Sequence, residues 1–408
     1  MILLSHPTGN ANVRAVLEAL DGAGLLAMFV TTVGWSGSSP LLRTLPENLR
    51  PQMARRGYNL PHYKVKTHPG REAVRLLAEK FNLQWLIRHE RGWASADEVW
   101  RGLDDFSESY LRQNQKRLNI DAVYAYEDGA LRTFETAGEL GLRCIYDLPI
   151  AYWETSRRLL QHEAQRYPQW EPTLGATRDS DEKLARKTRE LELARIVICP
   201  SKFVLDSLPE ETRLTRKCVV IPFGSPPYMT HESHRTYEKP LRLLFAGALT
   251  QRKGLADLFA AMKLVASREV ELVVMGSLLQ PMRFYREQCP NFIYEGPRDH
   301  DAVLRLMRSC DVLVLPSIVE GRALVQQEAL ACGLPLIVTR NAGGEDLIVE
   351  GETGFLVPPG NPTALAEKIE WFVENAGQLP AMRLAARAKS AELTWPAYGE
   401  KILHAIAE

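Results

Sequence analysis

The sequence predicts an α/β protein built from two Rossmann-like domains. Two observations carry this. Short, continuously apolar runs alternate with helical patterns along the whole chain, and the alternation is interrupted once, near "IPFGSPPYMTHESHRTYEKP" (221–240). Continuous apolar strands joined by helices read as parallel sheets covered on both faces. The interruption holds four prolines and no hydrophobic period, which marks a linker. Domains therefore fall at 1–221 and 241–392, with 222–240 between them.

In the first half the runs are "MILL", "LLAMFVTT", "IDAVYAY", "RCIYDLPI", "RIVICPS" and "KCVVIPFG". In the second they are "LRLLFAG", "VELVVMG", "NFIYEG", "CDVLVLPS" and "LPLIVTR", spaced by helices of about 10–15 residues. The first half departs from this rhythm between about Gly34 and Asn119. There "LRPQMARRGYNLPHYKVKTHPGREAVR" (49–75) carries seven cations, Arg50 to Arg75, against Glu72 alone. An amphipathic helical pattern follows at 96–118. Such an insertion could bind an anionic acceptor or touch anionic lipid; a solvated loop and an ordinary core-facing helix explain the same pattern.

Composition narrows the function. The 408 residues are 45% hydrophobic and 25% charged, and Lys plus Arg and Asp plus Glu both number 50. Nothing points to nucleic acid as a partner. The opening "MILLSHPTGN" is too short for a secretory core, and no apolar run approaches the roughly 20 residues that span a bilayer. Six scattered cysteines without CxxC spacing argue for reduced thiols and against a zinc site. The expectation is a cytoplasmic protein, with peripheral contact to the inner face of the membrane through 49–75 left open.

Two segments carry chemistry. In "LLFAGALTQRKGLADLFAAM" (243–262) a strand ends at Gly247 and Gly254 opens a helix, placing Arg252 and Lys253 at a helix N-terminus. Unpaired N–H groups there favour an anion, and two adjacent cations suit a diphosphate. A solvated charge pair is the alternative. In "EGRALVQQEALACG" the acids Glu320 and Glu328 stand eight positions apart. If that stretch is wholly helical they lie roughly 12 Å apart, too far for a glycosidase pair. The separation suits gripping both ends of a nucleotide sugar, Glu328 on the ribose diol and Glu320 on the sugar. Exposed acids with no such role remain the plain reading. "RDSDEK" (178–183) contains Asp-Ser-Asp, but it opens a charged helix after no buried strand, so an aspartate cap explains it better than a metal. His6 and His62 read as turn residues. Gly9 could let backbone approach phosphate or acceptor; an ordinary turn with Asn12 as helix cap fits equally.

Lys253 after "GALTQR", the Glu-x7-Glu of 320–328, the tract "ACGLPLIVTRNAGGEDLIVEGETGFLVPPG" and the late "TWPAYGEKIL" together resemble a retaining glycosyltransferase of the GT-B fold, family GT4. The resemblance is dense from about 241 to 400. It implies two domains facing each other across a cleft, the first holding the acceptor and the second the nucleotide-sugar donor. Residues 393–408 would cross back onto the first domain. It also implies that Arg252 and Lys253 neutralise the donor diphosphate, that Glu320 contacts its sugar and that Glu328 holds its ribose. Gly343 and Gly344 would let backbone approach the ligand, with Glu345 just beyond, and Arg298 in "YEGPRD" would lie beside the nucleobase. Gly247, Arg322, Ala323 and Leu324 complete the donor-side set. Where the family often has Glu-x-Phe-Gly, this chain has Arg322 and Ala323, a departure that leaves the donor sugar's identity open, an acidic or otherwise unusual sugar among the options. Tyr146 stands where many relatives carry a histidine and could hydrogen-bond a sugar hydroxyl or phosphate. The acceptor would be a carbohydrate, a lipid-linked molecule or a small molecule. No metal or other cofactor is implied. A partner-binding relative without catalysis is the alternative. A nicotinamide enzyme is disfavoured, since no GxGxxG follows a strand.

Overall fold

The computed structural model describes residues 1–36, 56–226, 239–267 and 269–407. Residues 49–55 of the basic stretch and 227–238 of the linker lie outside the described residues.

The first sheet has seven parallel strands: β1 (Ile2–Ser5), β2 (Leu26–Thr31), β3 (Val65–Thr67), β4 (Ala122–Tyr126), β5 (Arg143–Asp147), β6 (Ile196–Cys199) and β7 (Lys217–Val220). Their spatial order is β3-β2-β1-β4-β5-β6-β7. The second has six: β8 (Leu241–Ala246), β9 (Val270–Met275), β10 (Ile293–Glu295), β11 (Val312–Leu315), β12 (Leu336–Thr339) and β13 (Gly354–Val357), in the order β10-β9-β8-β11-β12-β13. Every strand pairing recorded in both is parallel. Residues of β1, β4, β11 and β12 are buried throughout, which is why those runs read as unbroken apolar stretches.

Helices cover both faces. In the first half these are α1 (Ala11–Gly22), α2 (Gly70–Lys80), α3 (Ala96–Asn114), α4 (Leu131–Glu139), α5 (Trp153–Arg166), α6 (Asp181–Leu193), α7 (Lys202–Ser207) and α8 (Glu210–Thr215). In the second they are α9 (Leu255–Leu264), α10 (Met282–Gln288), α11 (His300–Arg308), α12 (Leu324–Ala331), α13 (Pro362–Glu374), α14 (Leu379–Ala391) and α15 (Trp395–Ala407). The amphipathic helix α3 is core-facing: Val99, Leu103 and Leu111 are buried, and the Ser95 hydroxyl caps its start by accepting from the Glu98 N–H. Two capping expectations are corrected. Asn10, not Asn12, is the N-cap of α1, and it makes no side-chain cap bond. Ser180, not an aspartate, caps α6. Among the described residues no helix is long and apolar enough to cross a membrane.

Helix α15 packs on α1, and its Tyr398, Ile402 and Ile406 join Leu4, Val16 and Phe29 in one core layer of the first half. Arg143 and Lys217 donate to the Ile406 and Ala405 carbonyls at 2.8 Å, satisfying acceptors that the end of α15 leaves open. The halves also meet before the linker. Residues 167–174 leave α5 and lay Trp170, 1% exposed, into the core of the second half against Phe259, Phe284 and Tyr285.

Candidate active site

In each sheet the strand order reverses beside the first strand, between β1 and β4 and between β8 and β11. Open α/β sheets bind ligands at the carboxyl ends of the strands flanking such a reversal. The loops at that position in the second half, after β8 and after β11, hold Arg252, Lys253 and Glu320.

After β8 the chain turns through Gly247 at φ 145°; a Cβ there would stand 2.7 Å from Lys253 Cδ, so glycine leaves room for the lysine stem. Thr250 accepts from the Arg252 N–H at 3.1 Å and opens a single 3₁₀ turn, Gln251–Lys253. Helix α9 begins only after Gly254, so the two cations sit one turn ahead of it. The loop after β11 is laced to that turn. The Ile318 and Val319 N–H groups donate to the Arg252 carbonyl, and the Arg252 guanidinium donates to the Val319 carbonyl at 3.0 Å. Lys253 Nζ donates to Glu320 Oε1, and Arg252 lies 3.0 Å from the same oxygen. Burial alone would push the Glu320 carboxyl up, but Lys253 and then Arg252 hold it below the usual range. Burial draws Lys253 down against the pull of Glu320.

The helical spacing of the two glutamates is corrected. Glu320 belongs to the loop, and α12 starts at Leu324, so only Glu328 is helical. Glu328 Oε1 lies 3.6 Å from Nδ1 of His300, the first residue of α11, and burial raises its carboxyl against that neighbour. His300 was not anticipated; its only mark in the sequence is its place just after the "YEGPRD" loop. Arg298 is exposed and ion-paired with Glu295.

Other expected donor-side residues serve the protein itself. The Arg322 guanidinium is turned to Asp346, at 2.6 and 3.0 Å, and to the Gly343 carbonyl, and its side chain has no exposed surface. Gly343, at φ 73°, makes room for the Gly321 carbonyl, which a Cβ would meet at 2.0 Å; Gly344 likewise faces Gln326. Ala323 is buried and caps α12, and Leu324 packs against the core layer of the first half that holds α15. Glu345 lies 3.6 Å from Arg340. Across the cleft, Tyr146 is fully buried and donates to Glu190 Oε2 at 3.2 Å, so it does not face a ligand. Gly9 is pressed against the Tyr58 ring. His6 is buried between Trp100 and Tyr126, its Nδ1 accepting from the Thr8 N–H, and burial draws its pKa down to about 3. In the basic stretch, Lys64 pairs with Asp21, Arg71 with Glu98, and Arg56 and Arg75 with Glu72, so these cations are committed within the fold.

Between the halves lies a cavity of about 350 Å³ whose wall includes Arg252 and Val319 from the second half. The first half contributes His89, Glu127, Asp128, Trp153 and Lys187, among others. Glu127 is 7% exposed; Oε2 lies 3.3 Å from Lys187 Nζ and Oε1 has no hydrogen-bond partner. Burial, opposed by Lys187 and reinforced by Asp128, pushes its carboxyl up to about 7. Sequence reasoning missed Glu127, which ends an apolar run in an unremarkable Glu-Asp pair. His89, Glu90 and Asp179 also gather ligand atoms within 4.8 Å, but a lysine already fills that cluster: Lys183 Nζ is 2.8 Å from Asp97 and 3.1 Å from Asp179.

A buried brace supports the cationic turn. Gln251, fully buried, donates to Glu163 Oε2 at 2.6 Å and to Asp257 Oδ2 at 2.8 Å, and its carbonyl accepts from the Ala256 N–H. Arg166 and Tyr167 reach Asp257 from the other side.

Comparison with known proteins agrees with this geometry. Residues 229–390 match the family model described as glycosyl transferases group 1. An uncharacterized glycosyltransferase of Methanocaldococcus jannaschii is 30% identical over 182 residues, 44% of this chain and 50% of that protein, so the match spans half the relative's length. Among solved structures, sucrose-phosphate synthase from Thermosynechococcus elongatus superposes with a TM-score of 0.65 at 18% identity, covering 99% of this chain and 97% of that one. The Anabaena HepE structure in complex with UDP and glucose gives 0.60 at 15% identity, covering 100% and 99%. At these identities the structural likeness is one of fold. Residues 229–390 thus form a domain of the glycosyl transferases group 1 type, and the two facing sheets are the GT-B fold.

Proposed function

We propose that the protein transfers a sugar from a nucleoside-diphosphate sugar to an acceptor hydroxyl, with retention at the anomeric carbon and without a metal. The observation that carries this is the convergence of Arg252 and Lys253 on Glu320 at the strand-order reversal of the second sheet, with Arg252 also on the wall of the interdomain cavity. The donor diphosphate lies over the two cations. As the glycosidic bond breaks, charge gathers on the leaving phosphate, and fixed cations in a water-poor site stabilise it without reorganising. Glu320 holds both cations in place and presents its carboxylate to hydroxyls of the sugar. Glu328, beside His300, accepts from the ribose diol. The acceptor enters the cavity, where Glu127 offers a carboxylate to its hydroxyls, and the leaving phosphate takes the acceptor's proton.

Uridine is the first base to test, since HepE binds UDP and UDP-glucose. A thermal-shift screen of UDP, GDP, ADP, CMP and dTDP should show one selective stabilisation, and the matching sugar nucleotide should be slowly hydrolysed in EDTA without acceptor. Binding without any hydrolysis would favour a partner-binding relative. Loss of turnover in EDTA with rescue by manganese would overturn the metal-free mechanism.

A further inference from the structure

Fifteen large apolar side chains are exposed among the described residues, and the four aromatic ones, Tyr63, Phe81, Trp85 and Trp93, all fall within 63–93. Leu77 and Leu83 belong to the same stretch. Scattered single leucines need no explanation, but exposed rings gathered in one segment do. Phe81 and Trp85 are 65% and 72% exposed, so burying them in the protein's own core is not their use.

The segment is a built surface. Helix α2 stops at Lys80, Asn82 turns the chain at φ 55°, and the Leu83 N–H returns to the Ala78 carbonyl at 2.8 Å. The Leu86 carbonyl accepts from the Ala94 N–H at 2.9 Å, closing a loop in which Glu90 also takes a positive φ. Charges around the rings are divided. The acids are engaged: Glu79 with Arg75 at 2.5 Å, and Glu90 with the Ser180 N–H at 3.0 Å. The cations Lys80, Arg88 and Arg91 form no ion pair among the described residues, and Lys80 lies 6.0 Å from the Phe81 ring centre. Uncommitted positive charge beside exposed tryptophan and phenylalanine is the chemistry of a surface that seats in the headgroup layer of an anionic bilayer. Rings suit the boundary between apolar and wet layers, and each cation gains from the negative surface potential.

We propose that residues 77–93 form a docking surface for anionic lipid. Phe81 and Trp85 enter the headgroup region, and Lys80, Arg88 and Arg91 face the charged heads. His89, within this segment, lines the interdomain cavity, so the docked surface adjoins the cleft. The inference stands apart from the proposed reaction, because it is read by binding alone.

The test is co-sedimentation of the full chain with vesicles of phosphatidylcholine alone or mixed with phosphatidylglycerol. The wild type should pellet with the mixed vesicles, remain soluble with phosphatidylcholine alone, and be released by high salt. Phe81→Ser/Trp85→Ser and Lys80→Glu/Arg88→Glu/Arg91→Glu should each bind about tenfold or more weakly, with unchanged melting by circular dichroism. Brominated lipid should quench tryptophan fluorescence of the wild type, a readout that needs no variant. Failure to pellet with either vesicle, equal binding to both, absence of quenching, or variants that sediment like the wild type would each overturn the proposal. So would a wild-type dimer that Phe81→Ser/Trp85→Ser converts to monomer, since the rings would then join two copies of the chain.

Discussion

Lys253 and Glu320 hold each other in a pocket where neither is well solvated, so each depends on the other until a diphosphate adds its charge. Lys253→Ala should lower kcat by about a hundredfold or more, the scale of losing one preorganised charge partner in a transition state. Melting should fall by less than the loss of a lone buried pair would cause, because Arg252, 3.0 Å away, still pairs with Glu320. Near-normal turnover in a folded variant would remove the lysine from the reaction. Glu328→Ala should act on binding instead, weakening the free nucleotide by about tenfold, or roughly 1.4 kcal/mol; unchanged affinity by calorimetry would detach it from the ribose. A third residue gives a pH test. Asp147, fully buried, accepts from the Tyr124 hydroxyl at 2.7 Å, and burial pushes its carboxyl up to about 7. A raised carboxyl binds its proton more tightly in the folded state, so its contribution is fully present below about pH 4 and is lost as pH rises through 7. The ionised form costs the fold a few kcal/mol, at about 1.4 kcal/mol for each tenfold gain in proton affinity. Asp147→Asn, which cannot ionise, should therefore gain melting temperature relative to wild type between pH 5 and pH 8. Taking the difference between variant and wild type cancels His6, whose lowered pKa works in the opposite sense. A pH-independent difference would show that Asp147 does not titrate in this window.

At the scale of elements, strands with an apolar run were legible, the edge strands β7 and β10 included, and a strand without one was not. "LRLLFAG" and "CDVLVLPS" read correctly because every residue of β11, and every residue of β8 but Arg242, is buried. Strand β3 was missed: its three residues lie at the sheet edge, half-exposed, inside a lysine-rich stretch with no apolar run. The cationic turn and Glu320 could be named from residue types near strand ends, since cations and an acid there imply an anionic ligand. The brace could not be. Glu163, Arg166, Gln251 and Asp257 carry no local pattern, and only tertiary packing brings positions about ninety residues apart into one network. Arg322 and Tyr146 share a lesson: sequence gives the residue type but not the direction of the side chain, and each is turned to an acid of the fold, Tyr146 to the buried Glu190 and Arg322 to the exposed Asp346. The brace yields a prediction. Gln251→Ala takes the donor from Glu163 Oε2 and Asp257 Oδ2, though Arg166 still donates to the other oxygen of each, a cost of about 1–3 kcal/mol, and frees the turn that aims Arg252. Turnover should fall with little change in donor KM, because Lys253 and Glu328 still bind. An altered KM at constant kcat would place Gln251 in binding rather than in orientation.

For the molecule as a whole, Trp170 decides how the halves can move. Drawing it out of the second core would cost about 3–5 kcal/mol, the usual loss for a buried tryptophan, which is more than a working cleft can spend on each opening. Residues 160–174 should instead travel with the second half. The give then falls near 149–152 and 178–181, together with the linker and the approach to α15. Where the halves touch directly, the bonds are few: the Ser201 hydroxyl donates to the Gly321 carbonyl at 2.6 Å, and Gln327 donates to the Phe223 and Gly224 carbonyls. Hydrogen exchange separates the two parts. Amides of 160–174 should be as protected as those of β8 and β11 with or without nucleotide, while those of 150–151 and 320–322 should gain protection only when nucleotide is bound and the cleft shuts. Fast exchange across 160–174 in the free protein, slowed by nucleotide, would mean that Trp170 docks as part of closure, and the tryptophan would then be a latch rather than a fixed anchor.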